Sequence, residues 1–411
     1  MRKQPRRRFT GWAAICMFAC VPAIGQETKD DIIQKLISRV EALEREVASL
    51  KPPAAPDPVI AMPPREPVPT VAVIPADTSE PAAVSEKRYA FHAYADVGFA
   101  RNEDGTSVKH FELGELDLFA SVRITPKLTA LAEVVFETEN QTSISHVPIN
   151  VDRVLLQYRP SQFFNLDIGS YRTAIGYYNT AYPRGSWFGT ALTRPKLFAF
   201  EDDAGFLPLH NTGLSANGSL PSGALGLRYV VEVGNSRNFG EDIEAGFDNT
   251  QHAAFNVALT ARPRGFPGFQ AGFSFYRDLL SPPGGVTVDR SVWTAHGIYQ
   301  ANRIEFLNEV VLMKFQRTKL GWGDAPGFYS QLAYRVGSSW SPYVRFEDLN
   351  SFGRGVAGLA VQQAVPRHTS ILGGLRYDVN EAVALKFELG REDYHGQPAW
   401  VRAAMQVAFS F

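Results

Sequence analysis

From residue 87 onward, apolar and polar positions alternate with a period of two. Tyr89, Phe91, Ala93, Ala95, Val97 and Phe99 are interleaved with His92, Tyr94, Asp96 and Gly98. Leu116, Leu118, Ala120, Val122 and Ile124 are interleaved with Glu115, Asp117, Ser121 and Arg123. The same pattern recurs around Leu166, Val231, Phe273 and Leu385. A period of two predicts strands with one apolar and one polar face. Tight links stand at Thr125-Pro126-Lys127, Arg159-Pro160-Ser161, Leu220-Pro221-Ser222, Pro263 to Pro267, Ala301-Asn302-Arg303, Gly337-Ser338-Ser339 and Asn380-Glu381-Ala382. Longer links run between them, including Thr138 to Pro148, Arg172 to Pro208, Asn235 to Gln251, Leu279 to Thr287, Arg317 to Pro326 and Asn350 to Pro366. Alternating short and long connections predict about sixteen antiparallel strands with both ends on the short-turn side.

Upstream the periodicity is different. Thr28 to Leu50 is a heptad stretch, with Ile33, Val40 and Val47 at position a and Leu36, Leu43 and Leu50 at position d. β-Branched a with Leu d alone favours two strands. Arg39-Val40-Glu41-Ala42-Leu43-Glu44 resembles the R-h-x-x-h-E pattern of trimeric coiled coils, and the seam is read as a trimer. About three heptads are marginal as an isolated helix, which favours self-association. Residues 51–86 hold ten prolines and predict an extended, semi-rigid spacer reaching at most roughly 110 Å.

The final stretch, Ala399 to Phe411, places Val401, Ala403, Met405, Val407, Phe409 and Phe411 on one face. Arg402, Ala404, Gln406, Ala408 and Ser410 fall on the other. An unbroken apolar face ending in an aromatic residue suits a strand that meets acyl chains outside and water inside. It resembles the closing strand of bacterial outer-membrane β-barrels. Together with the heptads, the chain is similar to trimeric porins carrying an N-terminal periplasmic coiled coil, and in architecture to the phosphate-selective porin O/P-like group. The resemblance implies an all-β fold, an antiparallel transmembrane β-barrel of about sixteen strands with a short N-terminal coiled-coil helix. It further implies an outer-membrane location, contact with outer-membrane lipid, a homotrimer, and Phe411 as the assembly signal read by the barrel assembly machinery. Tyr89, Phe99, Tyr158, Phe164, Tyr229, Tyr299, Tyr334, Tyr377 and Phe409, near strand ends, are expected to form interfacial girdles.

Composition narrows this picture. The basic start (Arg2, Lys3, Arg6, Arg7, Arg8), the apolar centre Gly11 to Val21 and Ala23-Ile24-Gly25 read as a secretory signal over residues 1–25. The expected organisation is therefore signal 1–25, coiled coil 26–50, linker 51–86 and barrel 87–411. Both cysteines, Cys16 and Cys20, lie in the signal, so the mature chain has none for disulfides or thiolate metal sites. Of the 41 Lys and Arg, five belong to the signal, leaving 36 against 42 Asp and Glu and a net charge of −6. No basic excess points to nucleic acid.

The longest link, Arg172 to Pro208, is the third outer loop of the predicted barrel. In sixteen-stranded porins that connection folds inward, and the resemblance implies a pore-constriction loop here. Its candidate residues are Arg172, Tyr182, Arg184, Arg194, Lys196, Glu201, Asp202 and Asp203. Aromatics would pack the loop on the wall and charges would face solute. Inward positions supply candidate lumen-wall cations Arg153, Arg228, Arg345, Lys386 and Arg402, with Glu133, Glu137, Glu305, Glu309, Glu347 and Glu388 as their counterparts. Most of these are expected to be cross-strand ion pairs.

Gly353 to Gly358 matches G-x-G-x-x-G, but the preceding stretch belongs to an antiparallel pattern, so an outer loop is expected rather than a dinucleotide site. The histidines include no H-E-x-x-H, and no G-x-S-x-G is present. No catalytic residue, metal or cofactor is expected. The sequence predicts passive diffusion of small hydrophilic solutes through a water-filled lumen, with a slight preference for anions from Arg184, Arg194 and Lys196. The competing reading is an anchor that tethers the envelope through its coiled coil.

Overall fold

The computed structural model describes residues 88–411 except 103–109, 138–148, 183–185, 201–204, 236–251, 281–287, 318–320, 356–364 and 366. The predicted signal, coiled coil and Pro-rich linker lie outside the described residues.

The strands are β1 (Tyr89–Asn102), β2 (His110–Thr125), β3 (Leu128–Glu137), β4 (Ile149–Tyr158), β5 (Asn165–Arg172), β6 (His210–Ser219), β7 (Leu227–Asn235) and β8 (Ala253–Ala261). They continue as β9 (Phe269–Leu280), β10 (Val288–Ala301), β11 (Ile304–Arg317), β12 (Gly321–Tyr334), β13 (Trp340–Leu349), β14 (His368–Asp378), β15 (Val383–Tyr394) and β16 (Trp400–Ser410). A short segment, Phe352–Arg354, prolongs β13 after a break and pairs with the same neighbour, β12. The result is sixteen staves, each antiparallel to the next. Closure comes from β1 pairing with β16, from Tyr94 opposite Ser410 to Asn102 opposite Arg402. Phe411 extends that ladder, exchanging two 2.9 Å backbone hydrogen bonds with Ala93. A closed ladder leaves no strand edge, the condition for crossing hydrocarbon with strands.

The burial pattern is inverted relative to a soluble sandwich. In β13, Ser341, Tyr343, Arg345, Glu347 and Leu349 are buried, whereas Trp340, Pro342, Val344 and Phe346 are exposed. The polar face looks inward and the apolar face outward along the whole circuit, with Phe91, Val154, Phe273, Trp293, Phe328, Leu389 and Met405 among the exposed apolar residues. Of the expected girdle residues, Tyr89, Tyr158, Phe164 and Tyr334 are the most exposed. Trp340 and Tyr377 meet at 4.4 Å, and Phe266 and Tyr299 at 5.4 Å, at the turn end.

All seven predicted tight links fall in the seven turns. Asn302 adopts φ 56° in the two-residue link between β10 and β11, a conformation asparagine tolerates better than most residues. Two expectations are corrected. The link predicted from Arg317 to Pro326 comprises only residues 318–320, because β12 starts at Gly321. Pro326 sits inside that strand, opposite the break in β13, where its carbonyl accepts the N–H of Asn350 at 2.9 Å and the ladder does not need a proline N–H. In addition, part of the predicted Gly353 to Gly358 loop is strand, and residues 356–358 lie outside the described residues.

Candidate functional site: the inward loop and the lumen wall

Between β5 and β6 the chain turns into the barrel. Arg172, expected in the loop, is instead the last residue of β5. It is buried, and donates to Asp152 Oδ2 at 2.7 Å and Glu133 Oε1 at 3.1 Å. Arg153 also binds Glu133, and His210 Nε2 lies 3.2 Å from Asp152 Oδ1. Arg172 therefore braces the wall at the loop's root rather than facing solute.

The loop's short helix α1 (Tyr178–Ala181) begins beside Glu309 of β11. The Glu309 carboxylate accepts the backbone N–H groups of Tyr177 and Tyr178 and the hydroxyl of Tyr329, the last two at 2.8 and 2.7 Å. Gly176 makes this approach possible: it has φ 69°, and a Cβ there would lie 2.5 Å from Glu309 Oε2. Upstream, Glu232 of β7 accepts the N–H of Ala174 at 3.0 Å, supported by Asn256 and Ser215. Each carboxylate thus meets loop N–H groups that have no strand partner, so burying it is compensated by charge-assisted hydrogen bonds.

Aromatic residues fasten the loop to the wall. Tyr178 and Phe198 both meet Tyr329 edge-on, at 6.1 and 6.2 Å, and Phe188 packs on Tyr94 of β1 at 4.5 Å. Tyr182 is buried, donates its hydroxyl to Glu305 at 3.2 Å and accepts from Gln300 at 3.0 Å. Burial, reinforced by Glu305, holds the Tyr182 hydroxyl well above its ordinary pKa, and burial raises that of Tyr178.

The opposite wall supplies cations to loop carbonyls. Arg345 donates to Thr193 O at 2.7 Å, Thr193 Oγ1 at 2.9 Å and Arg194 O at 3.2 Å, and pairs with Glu347 at 2.7 Å. Lys386 donates to Ser186 O and Ala191 O. Arg376 donates to Trp187 O at 2.7 Å and Gly189 O at 2.9 Å. Arg402 pairs with Glu388, which also accepts from Thr193 and Tyr343. The expectation of simple cross-strand pairs describes Arg153 and Arg402. Arg345 and Lys386 do something else: they satisfy the backbone of a loop that has left its own strands. Arg228 is on the lumen face and makes no ion pair among the described residues.

Among the loop charges, Arg194 lies over the ring of Phe200 at 3.9 Å and that of Tyr178 at 5.0 Å, and donates Nε to Phe198 O at 3.0 Å. Lys196 gives its backbone N–H to Glu347 at 2.6 Å. Arg184, Glu201, Asp202 and Asp203 lie outside the described residues. Between the loop and the wall of β1, β2 and β13 to β16 an open space of about 470 Å³ remains, bordered among others by Asp96, Glu115, Arg194, Lys196, Glu392 and Arg402.

Sequence reasoning missed Asp152, because a register shift between Glu133 and Val134 of β3 lets both Asp152 and Arg153 face inward. Nothing in the local sequence marks that bulge. Arg376 was legible only as one more polar position in a strand.

No family model and no curated protein matches the sequence. Solved structures do match. The anion-selective porin from Comamonas acidovorans aligns with a TM-score of 0.57 and 11% identity over 79% of this chain and 99% of that one. In-vitro folded OmpT, an outer membrane protein of Vibrio cholerae, gives 0.54 and 11%, over 79% and 97%. The outer membrane channel DcaP of Acinetobacter baumannii gives 0.54 and 9%, over 79% and 97%. At such identities the likeness concerns architecture: this chain folds as the sixteen-stranded, closed antiparallel β-barrel of outer-membrane porins.

Proposed function

We propose that the protein is an outer-membrane porin through which small hydrophilic solutes diffuse passively. The observation that carries this reading is the space left beside the inward loop. The loop is held at β7 and, across the lumen, at β15, and the opening that remains beside it has charged side chains on its border among apolar ones. A narrowed, polar passage of this kind selects by size and charge without needing a nucleophile or cofactor. In this reading the loop is the constriction, with Arg194 and Lys196 on its solute side and Arg402 across from them. Arg184, Glu201, Asp202 and Asp203 are assigned to the same constriction.

The heptads of residues 26–50 support a homotrimer with a periplasmic coiled coil, and a Vibrio cholerae OmpT of similar fold is known in a trimer form. Phe411, paired with Ala93 at the closing seam, fits an assembly signal for the barrel assembly machinery. The outward apolar belt fits outer-membrane lipid.

Single-channel conductance in a planar bilayer tests the reading. Stepwise openings, often in threes, are expected. Correctly folded protein that inserts but stays electrically silent overturns it.

A further inference from the structure

The charge of the lumen is not spread evenly along its axis. At the loop end and the mid-height of the barrel, three buried or half-buried cations are matched by carboxylates, Arg345 by Glu347, Arg402 by Glu388 and Arg290 by Asp278, while Lys386 is held by loop carbonyls. The turn end is different. Each of the first six turns, or the strand end beside it, carries a cation: Lys127, Arg159, Arg228, Arg262, Arg303 and Arg335 in order. Of the carboxylates at that end, two are ion-paired, Glu305 meets only neutral donors, and Glu381 stands exposed in the seventh turn. Asp167 is held by Arg159 at 2.6 Å, and Asp378 by Arg376 at 2.7 Å with Arg335 at 4.0 Å. Glu305 is taken up by Tyr182, Thr190 and Gln331. Lys127, Arg228, Arg262 and Arg303 have no carboxylate within ion-pair distance among the described residues.

Two of these four belong to the lumen wall. Arg228 shares the inner face of β7 with buried Glu232, and is in register with Thr260 of β8. Arg262 follows β8 by one residue and donates Nε to Gln270 Oε1 at 2.7 Å. Gln270 is inward on β9 and lies 3.2 Å from His296 Nε2 of β10. The His296 ring in turn faces Tyr177 at 5.8 Å, at the foot of α1. The two guanidinium groups therefore stand on the wall just on the turn side of the loop.

We propose that the turn-side mouth is an anion-recognition collar, in which Arg228 and Arg262, with Lys127 and Arg303 at the rim, gather small anions and set the ion preference of the channel. This rests on the porin reading above and relocates the basis of selectivity. The loop-side charges largely cancel one another, whereas at the turn end the cations outnumber the carboxylates. Cations of one sign around a low-dielectric mouth concentrate counter-ions, and rings of one sign set ion preference. The Debye length is about 8 Å at physiological salt, so the collar acts on ions that pass close to it and more strongly in dilute salt.

The test is the reversal potential of the full-length protein in a planar bilayer under a potassium chloride gradient at low salt. Wild type is expected to prefer chloride. R228Q/R262Q is expected to lower the chloride-to-potassium permeability ratio severalfold, while R228K/R262K preserves it. The outward-facing pair of changes R277Q/R391Q removes the same charge elsewhere and is expected to leave the ratio at its wild-type value. A cation-preferring wild type, or an R228Q/R262Q channel with the wild-type ratio, overturns the collar and leaves the porin reading standing. Folded wild-type protein that never conducts overturns both.

Discussion

The carboxylate of Glu309, midway along β11, accepts the backbone N–H of Tyr178 at 2.8 Å, joining the barrel wall to the first turn of a loop 131 residues earlier in the chain. It also accepts from Tyr177 and from the hydroxyl of Tyr329. One buried acceptor thus satisfies three donors that have no other partner in its vicinity. Replacing Glu309 by Ala leaves them unpaired, at about 1–3 kcal/mol for each fully buried group. We expect E309A to fold as a barrel but to show larger, noisier single-channel currents, and to become sensitive to protease within residues 173–209. A quiet channel of wild-type conductance would show that the loop is held without this residue.

Arg345 offers a second test, because its neighbours divide cleanly. It is 1% exposed, and one guanidinium binds Glu347 and three loop acceptors. Breaking a buried pair by removing one partner costs about 3–5 kcal/mol, so R345A should lower the temperature at which the folded barrel loses its compact gel mobility. Arg277 with Asp289 is an exposed pair on the outer face, and R277Q should leave that temperature within error, since exposed pairs contribute roughly 0–1 kcal/mol. Equal effects from the two changes would contradict the burial argument.

Gly169 in β5 has φ 129°, and a Cβ there would lie 1.9 Å from the carbonyl oxygen of Val154 in β4. A Gly-to-Ala change at a compatible site shifts stability by only about 0.4–1 kcal/mol. G169A, in contrast, must push two backbones apart in a strand of only eight residues. We expect a marked fall in the folded fraction recovered after refolding, which the proportion of compact species on an unheated gel measures. G223A, where a Cβ meets nothing within 4 Å, separates the clash from the conformational term, because Gly223 shares a positive φ of 57°.

The loop tyrosines predict a pH response. Burial raises the pKa of Tyr177, Tyr178 and Tyr182 above 10 in the folded protein, whereas the unfolded chain ionises them near 10. Below that pH both states carry the neutral phenol and its contribution is intact. As pH rises past about 10, the unfolded state gains by releasing protons first, so stability falls with rising pH. Spectrophotometric titration should show these phenols ionising only after the exposed tyrosines, together with barrel unfolding. Reversible ionisation near pH 10 in the folded state would remove this account.

The wall was legible in the sequence because a closed barrel imposes one rule, a period of two, on every strand. The turns were legible because each needs Pro, Gly, Asn or Ser at fixed places. Local rules failed where a second chain segment changes the accounting. Pro326 reads as a loop residue until the break after Leu349 is seen opposite it. Asp152 reads as outward until the bulge in the β3–β4 ladder is known. Arg172, Arg345 and Lys386 read as candidate pore charges, yet Arg172 is taken by carboxylates of other strands, and Arg345 and Lys386 by carbonyls of a loop far away in sequence. Alternation tells which way a side chain points; it does not tell what it will meet there.

The loop begins on Glu232 of β7, through Ala174, and reaches Lys386 of β15 through Ser186 and Ala191. In a ring of sixteen staves, β7 and β15 are eight apart, on opposite sides of the circumference. A hollow cylinder flattens easily, because bending its wall stretches nothing. A brace fixed across its diameter resists that deformation directly. The segment that narrows the passage is therefore also a mechanical strut, and shortening or removing it should soften the cross-section of the whole barrel as well as widen the opening.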